Sequence, residues 1–130
     1  MSNKIRIALL GLGDVGQDFA ERFLEKIQEG GKAIEIVAVA HRHLDSPVAL
    51  GFAQNGVKMF ENAVEVASLG EDVDLIFDLT GSDEVRSGLR KALQQSNNRH
   101  TVIAPEVFAH LLWMFFDDEM ELSEGAVGGY

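Results

Sequence analysis

The sequence contains no cysteine, so disulfides, thiolate metal sites and a cysteine nucleophile are excluded. That absence fits a reducing compartment. It is also poor in positive charge: the formal net charge is −10, and no basic stripe or basic helix interrupts the acidic background. Electrostatic binding to nucleic acid or to an anionic membrane is therefore not expected. Long apolar runs are missing as well. The longest near the C-terminus, Leu111 to Phe116, falls far short of the ~20 residues that span a bilayer. The opening MSNKIRIALL has no extended apolar segment ending in a cleavage signal and leads straight into a strand pattern, so a cytoplasmic location is expected. There is no internal repeat and no low-complexity segment. Proline occurs twice, at Pro47 and Pro105, each placed to open a helix. A length of 130 residues suits one domain with a real core and leaves little room for a second.

What is present is organised around Ile5 to Gly16, IRIALLGLGDVG. Ile5, Ile7, Ala8, Leu9 and Leu10 read as a buried strand that stops at a glycine-rich turn. A helix follows at once, with Phe19, Phe23 and Ile27 at four-residue spacing beside Ala20 and Leu24, and with charged residues on the other face. Strand, tight turn and helix are the setting that a dinucleotide-binding fingerprint requires. Gly11 permits the sharp exit from the strand, Gly13 lets backbone approach a pyrophosphate, and Gly16 lets the helix lie close to the strand. Free N–H groups at the helix start would face the phosphates. The candidate phosphate site is thus Gly11, Leu12, Gly13, Asp14, Val15 and Gly16. Asp14 cuts both ways, since it suits a helix start yet places an anion beside that site. A glycine turn kept only for packing is the alternative.

Along the rest of the chain, Ile34 to Ala40 reads as a second buried strand and Pro47 to Gln54 as a short helix. Val57 to Phe60 is a third strand, and Asn62 can cap a small helix that runs to Leu69 and ends at Gly70. Val73 to Thr80 is a fourth strand, Asp83 to about Ser96 a helix with Val85, Leu89, Ala92 and Leu93 on one face, and Thr101 to Ala104 a fifth strand. A last helix opens at Pro105 and runs through Phe116 or as far as Glu121. The expected domain covers residues 1–121, and 122–130 form an acidic, glycine-rich tail expected to fray. Five strands alternating with five helices imply an α/β fold: a doubly wound, parallel, five-stranded sheet in the order 3-2-1-4-5, one three-layer domain of Rossmann-like type.

Ligands of such sheets collect at the carboxyl ends of the strands, near the point where strand order reverses. That rule selects His41, Arg42 and His43 after the second strand, Thr80, Gly81 and Ser82 after the fourth, and Pro105 and Glu106 after the fifth. His100 enters the fifth strand from its amino end and reads as structural. An acidic residue after the second strand would bond a ribose, whereas an arginine would accept a 2′-phosphate. Arg42 stands there, with Asp45 as the acidic competitor, so NADP is favoured over NAD. A solvated arginine at a strand end is the alternative. His41 and His43 either stack on an adenine or line the loop. Asp78, inside an apolar strand, is costly unless hydrogen-bonded, and reads as a carboxylate that ties down a neighbouring turn.

GLGDVG after the first strand, the fourth strand DVDLIFDLTGS and the connecting GVKMFEN together resemble the amino-terminal nucleotide domain of homoserine and aspartate dehydrogenases. The glucose-fructose oxidoreductase family and dihydrodipicolinate reductases share the arrangement. The resemblance spans about residues 4–110 and implies an NAD(P)-binding Rossmann domain. It implies Gly11, Gly13 and Gly16 at the pyrophosphate, and Thr80 and Gly81 near the nicotinamide ribose. Two departures stand beside it. Those enzymes continue into a substrate-holding domain where this sequence stops. The glucose-fructose oxidoreductase family also carries Glu-Lys-Pro after its fifth strand, where this chain reads Ala104-Pro105-Glu106, and the five lysines all fall away from the expected cleft. The expected role is a dinucleotide-binding or redox-sensing module. The alternatives are an oxidoreductase component that needs a partner chain or a dimer, and a module for another adenine nucleotide such as coenzyme A. The apolar run in the last helix is the expected surface for a homodimer or a partner protein, and no substrate is identified.

Overall fold

β1 (Ile5–Leu10) lies at the centre of a five-stranded parallel sheet, because its side chains are apolar on both faces and helices cover both sides. The computed structural model describes residues 4–11, 14–30 and 33–115, with backbone alone for 14–17. The remaining strands are β2 (Ile34–Ala40), β3 (Lys58–Phe60), β4 (Leu75–Asp78) and β5 (Val102–Ala104). Their order is β3-β2-β1-β4-β5, as the alternation of elements requires, and strand order reverses between β1 and β4. Both expected helices flanking the central strands form: α1 (Asp14–Gly30) and α3 (Asp83–Gln95). α2 (Pro47–Gln54) starts where proline occupies the first turn and the Ser46 hydroxyl accepts the Ala49 N–H. α4 covers 106–115. The expected continuation to Glu121 and the tail 122–130 lie outside the described residues.

Two expectations are corrected in detail. The small helix expected from Asn62 to Leu69 is a 3-10 helix, Ala63–Asp72, that resumes past its expected end at Gly70. Asn62 caps it as anticipated, and non-helical backbone at Gly70 breaks it before its last residues. The fourth strand is shorter at both ends than Val73 to Thr80. Val73 is taken by the cap of the 3-10 helix, and the Thr80 N–H turns away from the ladder to bond the Asp78 carboxylate.

The two faces of the sheet bury separate cores. On one, Phe19 and Phe23 of α1, Phe52 of α2 and Ala109 of α4 meet Ile7, Leu9, Val39 and Phe77. Phe77 lies at the middle of an aromatic group, with ring centroids 5.6 Å from Phe19, 6.0 Å from Phe23 and 5.9 Å from Phe108. On the other face, Val66 and Ala67 of the 3-10 helix and Leu89 and Leu93 of α3 cover Ala8, Leu10, Ala38 and Ile76. α4 presents a second apolar face to solvent, where Val107, Leu111, Met114 and Phe115 are exposed. Among the described residues no helix is long and apolar enough to cross a membrane.

The amino end of the sheet is held by charge. The Arg6 backbone N–H and Nε donate to Asp74 Oδ2, and Nη2 donates to Oδ1 at 3.1 Å. His100 shares the same carboxylate, which accounts for its structural role at the start of β5. The Arg6 guanidinium, then His100, then the Arg6 N–H hold the Asp74 carboxyl well below the usual carboxylate range. A depressed folded pKa stabilises the fold above the unfolded pKa, and that stabilisation is lost as pH falls. Asp74→Asn is expected to cost about 1–2 kcal/mol at neutral pH, given partial exposure. In chemical denaturation the wild-type advantage should stay constant above about pH 5 and shrink steadily below about pH 4.

Candidate functional site

Where β1 and β4 end, their backbones touch. Gly11 has φ +81°, and a Cβ built on it would lie 2.8 Å from the backbone N and Cα and from Cγ2 of Thr80. Glycine is required at this point by the neighbouring strand end, in addition to the turn. Its N–H donates to the Ala40 carbonyl at 3.2 Å, which links the turn to the end of β2 as well.

The segment Asp78 to Ser82 is tied from within. Asp78 is fully buried, and its Oδ1 accepts both the Thr80 N–H at 3.1 Å and the Thr80 hydroxyl at 2.6 Å. The Thr80 Oγ1 in turn accepts the Ser82 N–H, and the Ser82 hydroxyl caps α3 by accepting the Val85 N–H. The second carboxylate oxygen of Asp78 faces Arg86 Nε of α3 across 3.9 Å, an ion pair without a hydrogen bond. Sequence reading recognised the turn-binding role of Asp78. It missed Arg86, which the first turn of α3 places over the buried carboxylate.

After β2, the His41 ring is held in place by its own loop. Nδ1 accepts the His43 N–H at 2.8 Å, and Nε2 lies 3.5 Å from the Ser46 hydroxyl that caps α2. Burial, reinforced by His43 and opposed by Asp45, lowers the His41 pKa. The neutral ring with Nδ1 as acceptor is the form that fits these contacts. His41 therefore lines and braces the loop, and Arg42 and His43 are exposed beside it.

These strand ends enclose a cleft of about 630 Å³. Gly11, His41, Arg42, His43, Thr80 and Ser82 all line it. Asp45 does not line it. Neither does Gly81, which has φ +66° and points instead toward Glu106, whose Oε2 would lie 3.9 Å from a Cβ. Asp14, Val15 and Gly16 lie in the first turn of α1, but their side chains lie outside the described residues, as do Leu12 and Gly13 altogether. Glu61, Asn62, Leu79 and Glu84 also line the cleft and were not anticipated. Extending the strand-end rule to β3 would have found Glu61, the residue directly after it. No lysine is among the described lining residues. A second cavity of about 310 Å³ shares Leu79 with the cleft and has Phe19, Ala109 and Trp113 as apolar walls and Asp18, Glu106 and His110 as polar ones. Among the described residues no cluster of His, Asp and Glu could hold a metal ion.

Residues 11–107 match the family model of the homoserine dehydrogenase NAD-binding domain. The fold is similar to that of S. aureus homoserine dehydrogenase solved at pH 7.0, with 26% identity, a TM-score of 0.58 and coverage of 92% of this chain and 31% of that one. The same enzyme at pH 8.5 superposes with a TM-score of 0.60 at 21% identity, again over 92% of this chain and 31% of the enzyme. Scyllo-inositol dehydrogenase from Lactobacillus casei, with bound NAD(H) and scyllo-inositol, shares the fold at 16% identity and a TM-score of 0.54, over 97% of this chain and 43% of that one. No curated protein matches the chain. The chain thus spans about a third of the length of the homoserine dehydrogenase it resembles.

The contact between Gly11 and Thr80 gives opposite expectations for one substitution at two glycines. Gly11→Ala drives a Cβ into backbone and forces a left-handed φ on alanine, and should cost about 2 kcal/mol or more. Gly51→Ala, inside α2 with nothing within 4 Å, should stabilise by roughly 0.5–1 kcal/mol. Denaturant midpoints of the two variants check both signs.

Proposed function

The chain belongs to the family of homoserine dehydrogenase NAD-binding domains and binds NAD(P), and on that premise we propose that it prefers the 2′-phosphorylated dinucleotide and works as a redox-sensing module. The cleft fits such a ligand. It joins the carboxyl ends of β1, β2 and β4 at the point of strand reversal, and its volume of about 630 Å³ lies in the range of small-molecule sites. The adenosine half would lie against His41, Arg42 and His43, with Thr80 and Ser82 on the facing wall. Once bound, the dinucleotide supplies the hydride donor or acceptor. The protein's own residues bind and orient it.

One observation carries the choice of cofactor. Arg42 lines the cleft at the end of β2, while Asp45, the acidic competitor, does not. Glu61 and Glu84 line the same cleft and would repel a 2′-phosphate, so the preference depends on Arg42 offsetting them. A cytoplasmic setting, where NAD(P) pools exchange between oxidised and reduced forms, suits this role.

Calorimetric titration with NADP(H), NAD(H) and coenzyme A tests the reading. Arg42→Ala should weaken NADP(H) binding by about 10- to 100-fold and leave NAD(H) within about threefold. Equal weakening of both would contradict a 2′-phosphate contact, and a preference for coenzyme A would replace the dinucleotide altogether.

A further inference from the structure

The second cavity differs from the cleft in its chemistry. Phe19 and Trp113 give it aromatic walls, and two carboxylates, Asp18 from α1 and Glu106 from α4, stand at its edge. Among the described lining residues only His110 can carry positive charge; it lies 3.6 Å from Glu106 and offsets it only when protonated. Leu79 lines both spaces, so the two adjoin beside the end of β4. A Cβ built on Gly81, in the loop after β4, would lie 3.9 Å from the Glu106 carboxylate.

We propose that this cavity receives the nicotinamide ring and that Asp18 and Glu106 make the protein bind the oxidised dinucleotide more tightly than the reduced one. The inference rests on the dinucleotide reading above and adds a direction of redox selectivity to it. The oxidised ring is a pyridinium cation, and uptake of a hydride neutralises it. Carboxylates beside the ring therefore attract one oxidation state and are indifferent to the other. Aromatic faces act in the same sense, since they attract a cation more than a neutral ring. A sensor of the NAD(P) pool needs such a difference, because a ligand pair bound equally well shifts no equilibrium.

Both carboxylates are partly solvated, so the expected preference for the oxidised form is about tenfold. NAD⁺, NADH, NADP⁺, NADPH and ADP-ribose are titrated into the wild type, Asp18→Asn and Glu106→Gln. Each variant should weaken the oxidised forms by about threefold to tenfold and leave the reduced forms and ADP-ribose, which lacks the ring, unchanged. Retained ADP-ribose binding also shows that the variants fold. Equal affinity for oxidised and reduced forms, or a preference that survives both substitutions, overturns the redox selectivity while the dinucleotide site stands. Failure of all five ligands to bind the wild type overturns the dinucleotide reading and this inference with it.

Discussion

The contact of Gly11 with Thr80 governs the functional end of this molecule. Two parallel strands with a reversal of order between them leave a gap at their carboxyl ends, and the width of that gap is set by how closely the two exits approach. Gly11 brings them to backbone contact. Asp78 then fixes Thr80 by taking both of its donors, and Thr80 passes the order on to Ser82 and the first turn of α3. A buried carboxylate is expensive unless its lone pairs are used. In this fold it orders the wall of the larger cleft, with Arg86 supplying the nearby positive charge.

The two ends of the sheet divide the electrostatic work. At the amino end, Arg6, Asp74 and His100 tie the starts of β1, β4 and β5 into one clamp, a structural use of charge. At the carboxyl end, charges line open space instead. Arg42, Glu61 and Glu84 surround the larger cleft, and Asp18 and Glu106 border the smaller cavity across Leu79. Among the described residues, Arg42 is the one arginine lining the larger cleft of this strongly acidic chain.

The parts of this arrangement that were legible in the sequence are those with strong apolar periodicity. β1 and β2 are found at the bounds that their apolar runs indicate, and the buried faces of α1 and α3 carry Phe19, Phe23, Leu89 and Leu93 as spacing requires. Strand order followed from the alternation of strands and helices. Features set by side-chain to backbone bonding were harder to read. β4 stops at Asp78 because a carboxylate competes for the Thr80 N–H, and no hydrophobic pattern records that competition. The 3-10 form of Ala63–Asp72 depends on local capping and the break at Gly70. Glu61 and Glu84 come from elements far apart in the chain and meet only once the sheet has formed.

The most direct measurement is an amide map of isotope-labelled protein titrated with ADP-ribose and then with NADP⁺. Binding across the strand reversal predicts perturbed amides at Gly11, at His41 to His43 and at Thr80 to Ser82. The amides of Arg6, Asp74 and Thr101 at the other end of the sheet should stay in place. Perturbations confined to that other end, or to the exposed face of α4, would contradict a dinucleotide site at the carboxyl ends of β1, β2 and β4.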